Sequence, residues 1–418
     1  MRGYRFHKKG GPRVLVTLAL FLAMLVSVNF FEIKPMVPLL ADRIIVIFVA
    51  VLLLILLRAG FSSGERIPEA KQMSPMLLVA LGIVISFVPA YIYYKQGVLQ
   101  SVISYREGFY FLFLPAFLMS RPSATEIRRA LYLFSAIWLV ISVLVTYRFP
   151  EWIELPDDMS YYHYRGFLMT IPGLRFLGLA FIFALDRFYH SARMTDLIAV
   201  IGTFVCVFIP QNRTLLAASL LIVLVFAFFR RSSGQKVISV GITLLVGGVF
   251  LYFTAGYILA LIGKTVSQLQ DMDYNRVKAY YYMVSGSNGW LSYIWGNGYI
   301  SGKVSSLISD LHEEGIYYND VGLLGMWNQF GILPVAVLLF SFIRGLSRHH
   351  SFLVVANAVF LLVGTLTISY FFIGESILWV CLYWYVYEMD EPFYQVSRQQ
   401  YRERKARQAL RYRSIGGE

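Results

Sequence analysis

The sequence predicts an all-α polytopic membrane protein of about twelve transmembrane helices with one long extracytoplasmic loop. Three observations carry that expectation. Hydrophobic residues make up 58% of the 418 and charged residues only 15%, against about half and about a quarter in a soluble domain. The apolar residues fall in runs near the ~20 that a helix needs to cross a ~30 Å hydrocarbon core. They also lack the two-residue alternation of a membrane barrel.

The runs, in order, are 14–31, 39–57, 75–94, 106–120, 129–147, 167–188, 196–210, 214–229, 237–255, 320–343, 351–370 and 374–388. The first follows Arg2, Arg5, Lys8, Lys9 and Arg13 and carries no small-residue cleavage site, so it reads as an uncleaved span. Placing the N-terminus in the cytoplasm and alternating sides puts 25 of the 37 lysines and arginines inside and 12 outside. That bias fits both termini inside and an even number of spans. Residues 1–255 are then helices 1–9, 256–319 the long outer loop, 320–390 helices 10–12, and 391–418 a basic cytoplasmic tail. The net charge of +13 is topology information and tail–lipid contact rather than a nucleic-acid surface. Cys206 and Cys381 lie within apolar runs and read as free packing residues. There is no phosphate-binding glycine loop with lysine, no zinc-type Cys/His spacing and no nucleophile elbow. No inverted repeat of the transporter type is visible.

Polar residues on the outer face form a short set. In IPQNRTLLAASLL one helix ends at Pro210 and the next begins almost at once, which puts Arg213 at a helix start. A cation opposes the dipole there, and it reads equally as an interfacial arginine reaching for headgroups or as a ligand for an anion. DMDYNRVKAYYYMV has helical apolar spacing and predicts an amphipathic surface helix carrying Arg276 and Lys278. SGSNGWLSYIWGNGYISG combines turn-forming glycines with aromatic faces, Trp295 and Tyr299 among them, of the kind that line a membrane interface or stack on sugars. His312 and Asp320, in LHEEGIYYND, are the groups able to accept a proton. Asp320 stands at the mouth of the tenth span, His312 in a more exposed stretch. Arg165 marks the outer edge of the sixth run. Arg175, about ten residues into it, is expected ~15 Å deep and facing either an internal partner or a substrate cavity.

Taken in order, PQNRTLLAASLLI, the long outer loop, DYNRVKAYYYMV leading to IWGNGY, and YYNDVGLLGMWNQFGILP resemble the O-antigen polymerase and O-antigen ligase superfamily of bacterial polysaccharide assembly. The similar features span about residues 200–335. The resemblance implies an integral glycosyltransferase of the inner membrane with its active site in the periplasm. Its donor is an undecaprenyl-pyrophosphate-linked oligosaccharide. Membrane lipids are its surroundings, and a chain-length regulator and a flippase of the same pathway its expected partners; no nucleic acid, metal or other cofactor is implied. By position, Arg213 and Arg276 bind the donor pyrophosphate, Asp320 or His312 acts as base, and Arg165, Arg175, Trp295 and Tyr299 contact substrate. Ligases place a histidine at the start of the span after the loop. This chain has Asp320 there, which favours a polymerase that joins repeat units over a ligase that transfers glycan to lipid A core. A lipid-linked oligosaccharide flippase or a non-catalytic scaffold are the alternatives of other classes.

Overall fold

A computed structural model describes residues 14–33, 43–59, 73–148, 171–210, 212–228, 275–285, 289–300, 316–347 and 350–390, with isolated positions at 152, 168, 263, 267, 310, 311 and 314. The ninth apolar run and the basic tail lie outside these residues, as do Arg165, His312 and the side chain of Asp320. The described part is helical. In chain order it contains α1 (Val14–Ser27), α2 (Arg43–Ala59), α3 (Met73–Ile85), α4 (Phe87–Tyr94), α5 (Val98–Ser104), α6 (Phe113–Ser120), α7 (Ala124–Tyr147) and α8 (Leu174–Ser191). There follow α9 (Met194–Phe208), α10 (Arg213–Phe228), α11 (Asn275–Ser285), α12 (Trp290–Trp295), α13 (Gly322–Phe330), α14 (Ile332–Gly345), α15 (Phe352–Gly364) and α16 (374–390).

Among the described residues, two stretches are long and apolar enough to cross a membrane: Met73–Tyr94, which joins α3 and α4, and Ala124–Tyr147. The pair Val98–Ser104 and Arg106–Ser120, bent by 71°, makes a third if it is one span. The outward faces are apolar as well. On α2, Ile45, Phe48, Leu52 and Leu56 are all exposed at helical spacing, where a water-facing helix would carry polar residues.

The core is built around α16. Its sequence ESILWVCLYWYVY is apolar nearly all round, the signature of a helix surrounded by others. Trp379, Cys381 and Trp384 are fully buried. Three of the polar side chains of α16 reach three different neighbours. Trp379 donates to Asn357 Oδ1 on α15 (3.3 Å), Tyr383 to the Ser341 carbonyl on α14 (2.7 Å), and Tyr385 to the Pro122 carbonyl before α7 (2.7 Å). A buried phenol or indole needs such a partner, so these bonds fix the rotation of α16 within the bundle.

α8, α9 and α10 run antiparallel, and α10 packs on α15. One end of the bundle therefore gathers the start of α8, the α9–α10 turn and the α15–α16 connection. The opposite end gathers Arg187 with Asp196 (3.5 Å), His190 with Asp186 (3.6 Å) and the buried pair His350–Asp390 (2.8 Å). An apolar recess lined by Ile127, Phe183, Leu353 and Tyr385 is also at that opposite end. The tenth apolar run, expected as one helix, is two: α13 ends and α14 begins at Gly331, whose φ is +79°.

Candidate functional site

The connection between α15 and α16, TLTISYFFI (365–373), binds three segments that are far apart in sequence. The hydroxyls of Thr367 and Thr214 are 2.8 Å apart, joining the turn to α10. Tyr280 of α11 donates to the Leu366 carbonyl at 3.0 Å. The Leu323 amide of α13 donates to the Thr365 carbonyl at 3.0 Å. The Ser369 hydroxyl stands 2.9 and 2.8 Å from the carbonyls of Tyr318 and Gly322. These last two bracket Asp320, which lies in the tight 3-10 turn Tyr318–Val321.

Arg213 is the first residue of α10 and half-buried. Asn212 caps the helix: its Oδ1 accepts the Leu215 amide at 3.0 Å and its carbonyl the Leu216 amide at 2.9 Å. The tight turn and the helix start at Arg213 are as the sequence led us to expect. Arg276 is the second residue of α11 and also half-buried. α11 is amphipathic in the sense that Ala279 and Met283 face inward while Tyr281 and Val284 face out. It packs on the Tyr318–Val321 turn and on α13. Tyr280 follows Arg276 by one helical turn, ~6 Å of rise. The segments bearing Arg213, Arg276 and Asp320 are thus each tied, within a few residues, to the same turn of chain.

Arg175 is not ten residues down a helix. Gly173 opens α8 with a positive φ of +114°, so Arg175 is the second residue of α8, at the same end as the 365–373 turn. Its partner is Glu375, two residues beyond that turn. Glu375 Oε1 accepts the Arg175 backbone N–H at 2.6 Å and Oε2 accepts Nη1 at 3.0 Å. The carboxylate is only 3% exposed and the arginine side chain 20%. Glu375 is not among the residues singled out from the sequence. The signal was available: a carboxylate between two apolar runs is costly and marks a partner or a site.

The glycine motif has a structural task. Gly296 and Gly331 pass back to back, with φ of +80° and +79°. There the Asn297 amide donates to the Asn328 carbonyl (2.7 Å) and the Gly298 amide to the Gln329 carbonyl (2.8 Å). The Asn297 side-chain amide donates to Asn328 Oδ1 (3.1 Å), and Asn328 Nδ2 to the Met283 carbonyl (3.2 Å). The break in the tenth run is therefore stitched to the loop. Tyr299 lies in a ring cluster with Tyr105, Phe330 and Phe372, and its carbonyl accepts from the buried Gln96 at 2.8 Å. Trp295 ends α12 and keeps 37% of its surface exposed. Tyr282 of α11 hydrogen-bonds Tyr318, and burial pushes both phenols above their ordinary pKa, so both are neutral hydrogen-bonding groups.

Among the described residues, no group of three or more His, Cys, Asp or Glu side chains could hold a metal ion. No protein-family model matches this chain, and no curated protein matches it.

Proposed function

We propose that the chain is a membrane glycosyltransferase that polymerises undecaprenyl-pyrophosphate-linked oligosaccharide repeat units into a surface polysaccharide. It does so on the periplasmic face of the inner membrane, with both termini in the cytoplasm. One observation carries this reading: the segments of Arg213, Arg276 and Asp320, about sixty and forty residues apart, are tied to the single turn at 365–373. Two half-buried arginines at helix starts oppose their own helix dipoles. A diphosphate brought between them removes that penalty, and the guanidinium fork matches phosphate oxygens.

The acceptor sugar hydroxyl attacks the anomeric carbon of the donor glycan from the face opposite the diphosphate. The new glycosidic C–O bond forms as the bond to the diphosphate oxygen breaks, and that oxygen keeps the electron pair. Undecaprenyl pyrophosphate departs with its growing charge neutralised by Arg213 and Arg276, which act more strongly on the transition state than on the bound donor. The hydroxyl proton passes to Asp320 or to His312, and the anomeric centre inverts. Trp295, with its ring partly open, offers a face on which sugars stack. Tyr299, packed among other rings, supports that region from beneath.

The test is chain lengthening by purified full-length protein in lipid nanodiscs supplied with a lipid-linked repeat unit. Wild-type protein should give a ladder of products, and Arg213→Ala and Arg276→Ala should each give none. Arg148→Ala, on an arginine outside this cluster, should match wild type. Ladders from both arginine variants would overturn the reading.

A further inference from the structure

The Arg175–Glu375 pair has a geometry that a simple structural bridge does not need. A bridge built for strength uses the two-pronged form, with both carboxylate oxygens on the guanidinium. Here Glu375 gives one oxygen to the guanidinium and the other to the backbone N–H of the same arginine. The carboxylate therefore grips Arg175 at two points and fixes the direction of its side chain. It uses only one of the two Nη nitrogens. Nε is buried with no hydrogen-bond partner among the described residues, and a fifth of the side chain remains exposed.

The electrostatics point the same way. Glu375 lies in the first turn of α16 and accepts an amide from the first turn of α8. The positive ends of two helices thus act on one carboxylate. The backbone thus shares in compensating the carboxylate, and the guanidinium is not its sole counter-charge. The pair directly follows the turn that joins the segments of Arg213, Arg276 and Asp320.

We propose that Glu375 is a positioning residue. It holds Arg175 in one orientation, and Arg175 serves as a third cation for the diphosphate of the lipid-linked donor. This rests on the reading of the chain as a glycosyltransferase, and the test separates the two.

The experiment measures chain lengthening in nanodiscs, inhibition by inorganic pyrophosphate and the thermal unfolding midpoint, for wild type and four variants. Arg175→Gln should lower kcat/KM at least tenfold and weaken pyrophosphate inhibition by a similar factor. Glu375→Gln keeps an acceptor for the backbone N–H but releases the guanidinium, and should show a smaller loss of the same kind. The double variant Arg175→Gln/Glu375→Gln restores a neutral amide pair. Its midpoint should recover while its activity stays lost. Arg175→Lys, which keeps the charge and the fold without the fork, should raise the donor KM more than it lowers kcat. Recovery of activity together with stability in the double variant would make the pair a purely structural bridge and overturn the proposal. So would wild-type pyrophosphate inhibition in Arg175→Gln. A wild-type protein that makes no ladder would instead sink the glycosyltransferase reading, and the proposal with it.

Discussion

Gly296→Ala tests the crossing that joins the loop to the break between α13 and α14. A Cβ at Gly296 would stand 2.2 Å from the Gln329 carbonyl oxygen and 2.6 Å from the Gly331 amide nitrogen. Both are backbone atoms, so no side chain can swing aside. Reaching ordinary contact, 3.4 Å or more, requires the two segments to part by about 1 Å, which breaks the hydrogen bonds from Asn297 and Gly298. Two lost bonds cost about 2 kcal/mol, and an alanine in this glycine-only backbone region costs about 2 kcal/mol more. The total of about 4 kcal/mol should lower the unfolding midpoint on the order of 5 °C. Two other glycines separate the terms. Gly289 also has a large positive φ, +115°, but a Cβ there meets nothing within 4 Å among the described residues, so Gly289→Ala should cost about 2 kcal/mol from strain alone. Gly202 lies inside α9 with open space around it, and Gly202→Ala should stabilise by about 0.5–1 kcal/mol. The assay is thermal unfolding of the detergent-purified protein followed by tryptophan fluorescence. A midpoint for Gly296→Ala no lower than that for Gly289→Ala would refute the close-crossing account.

Four more outcomes follow from other residues. Asn212→Ala should lose the cap on the Leu215 amide and about 1 kcal/mol of stability. Arg213→Ala should instead leave that cap in place while abolishing chain lengthening, so the two neighbours should separate in an activity screen. Asn328→Ala removes both the bond with Asn297 and the bond to the Met283 carbonyl and should cost about 2 kcal/mol, read from the same unfolding midpoint. Asp390→Ala strands the buried His350 ring and the Ser351 amide and should cost about 3 kcal/mol. Because it lies at the far end of the bundle, kcat per folded molecule should not change.

Two membrane-length stretches were legible because apolarity is a property of whole runs. Met73–Tyr94 and Ala124–Tyr147 follow the runs 75–94 and 129–147 to within a few residues. The start of α10 was legible because Pro210 is a local signal that ends one helix and leaves only a tight turn before the next apolar run. The break at Gly331 was not. In QFGILP the glycine sits among apolar neighbours, and only its tertiary partner Gly296 explains it. Arg175 was misplaced because its depth was counted from Arg165 at the edge of the run, although the Pro-Gly pair at 172–173 is a turn signal that moves the helix start to Leu174. The 365–373 turn was hidden for a different reason. The side chains of Thr367 and Ser369 bond to a hydroxyl and to carbonyls brought in by distant segments, and no pattern along TLTIS states which partners those are.

The late position of that turn has a consequence for how the protein is made. Synthesis begins at the N-terminus, so α8, α10 and α11 emerge well before residues 365–373 of the 418-residue chain. The antiparallel run of α8, α9 and α10 already sets Arg175 and Arg213 at one end, but until α15 and α16 have entered the membrane the contacts that tie them to each other and to the segment of Arg276 are missing. A half-made chain has the arginines but not the turn that gathers them. The ties between the three arginine-bearing segments are therefore among the last contacts of the described bundle to form.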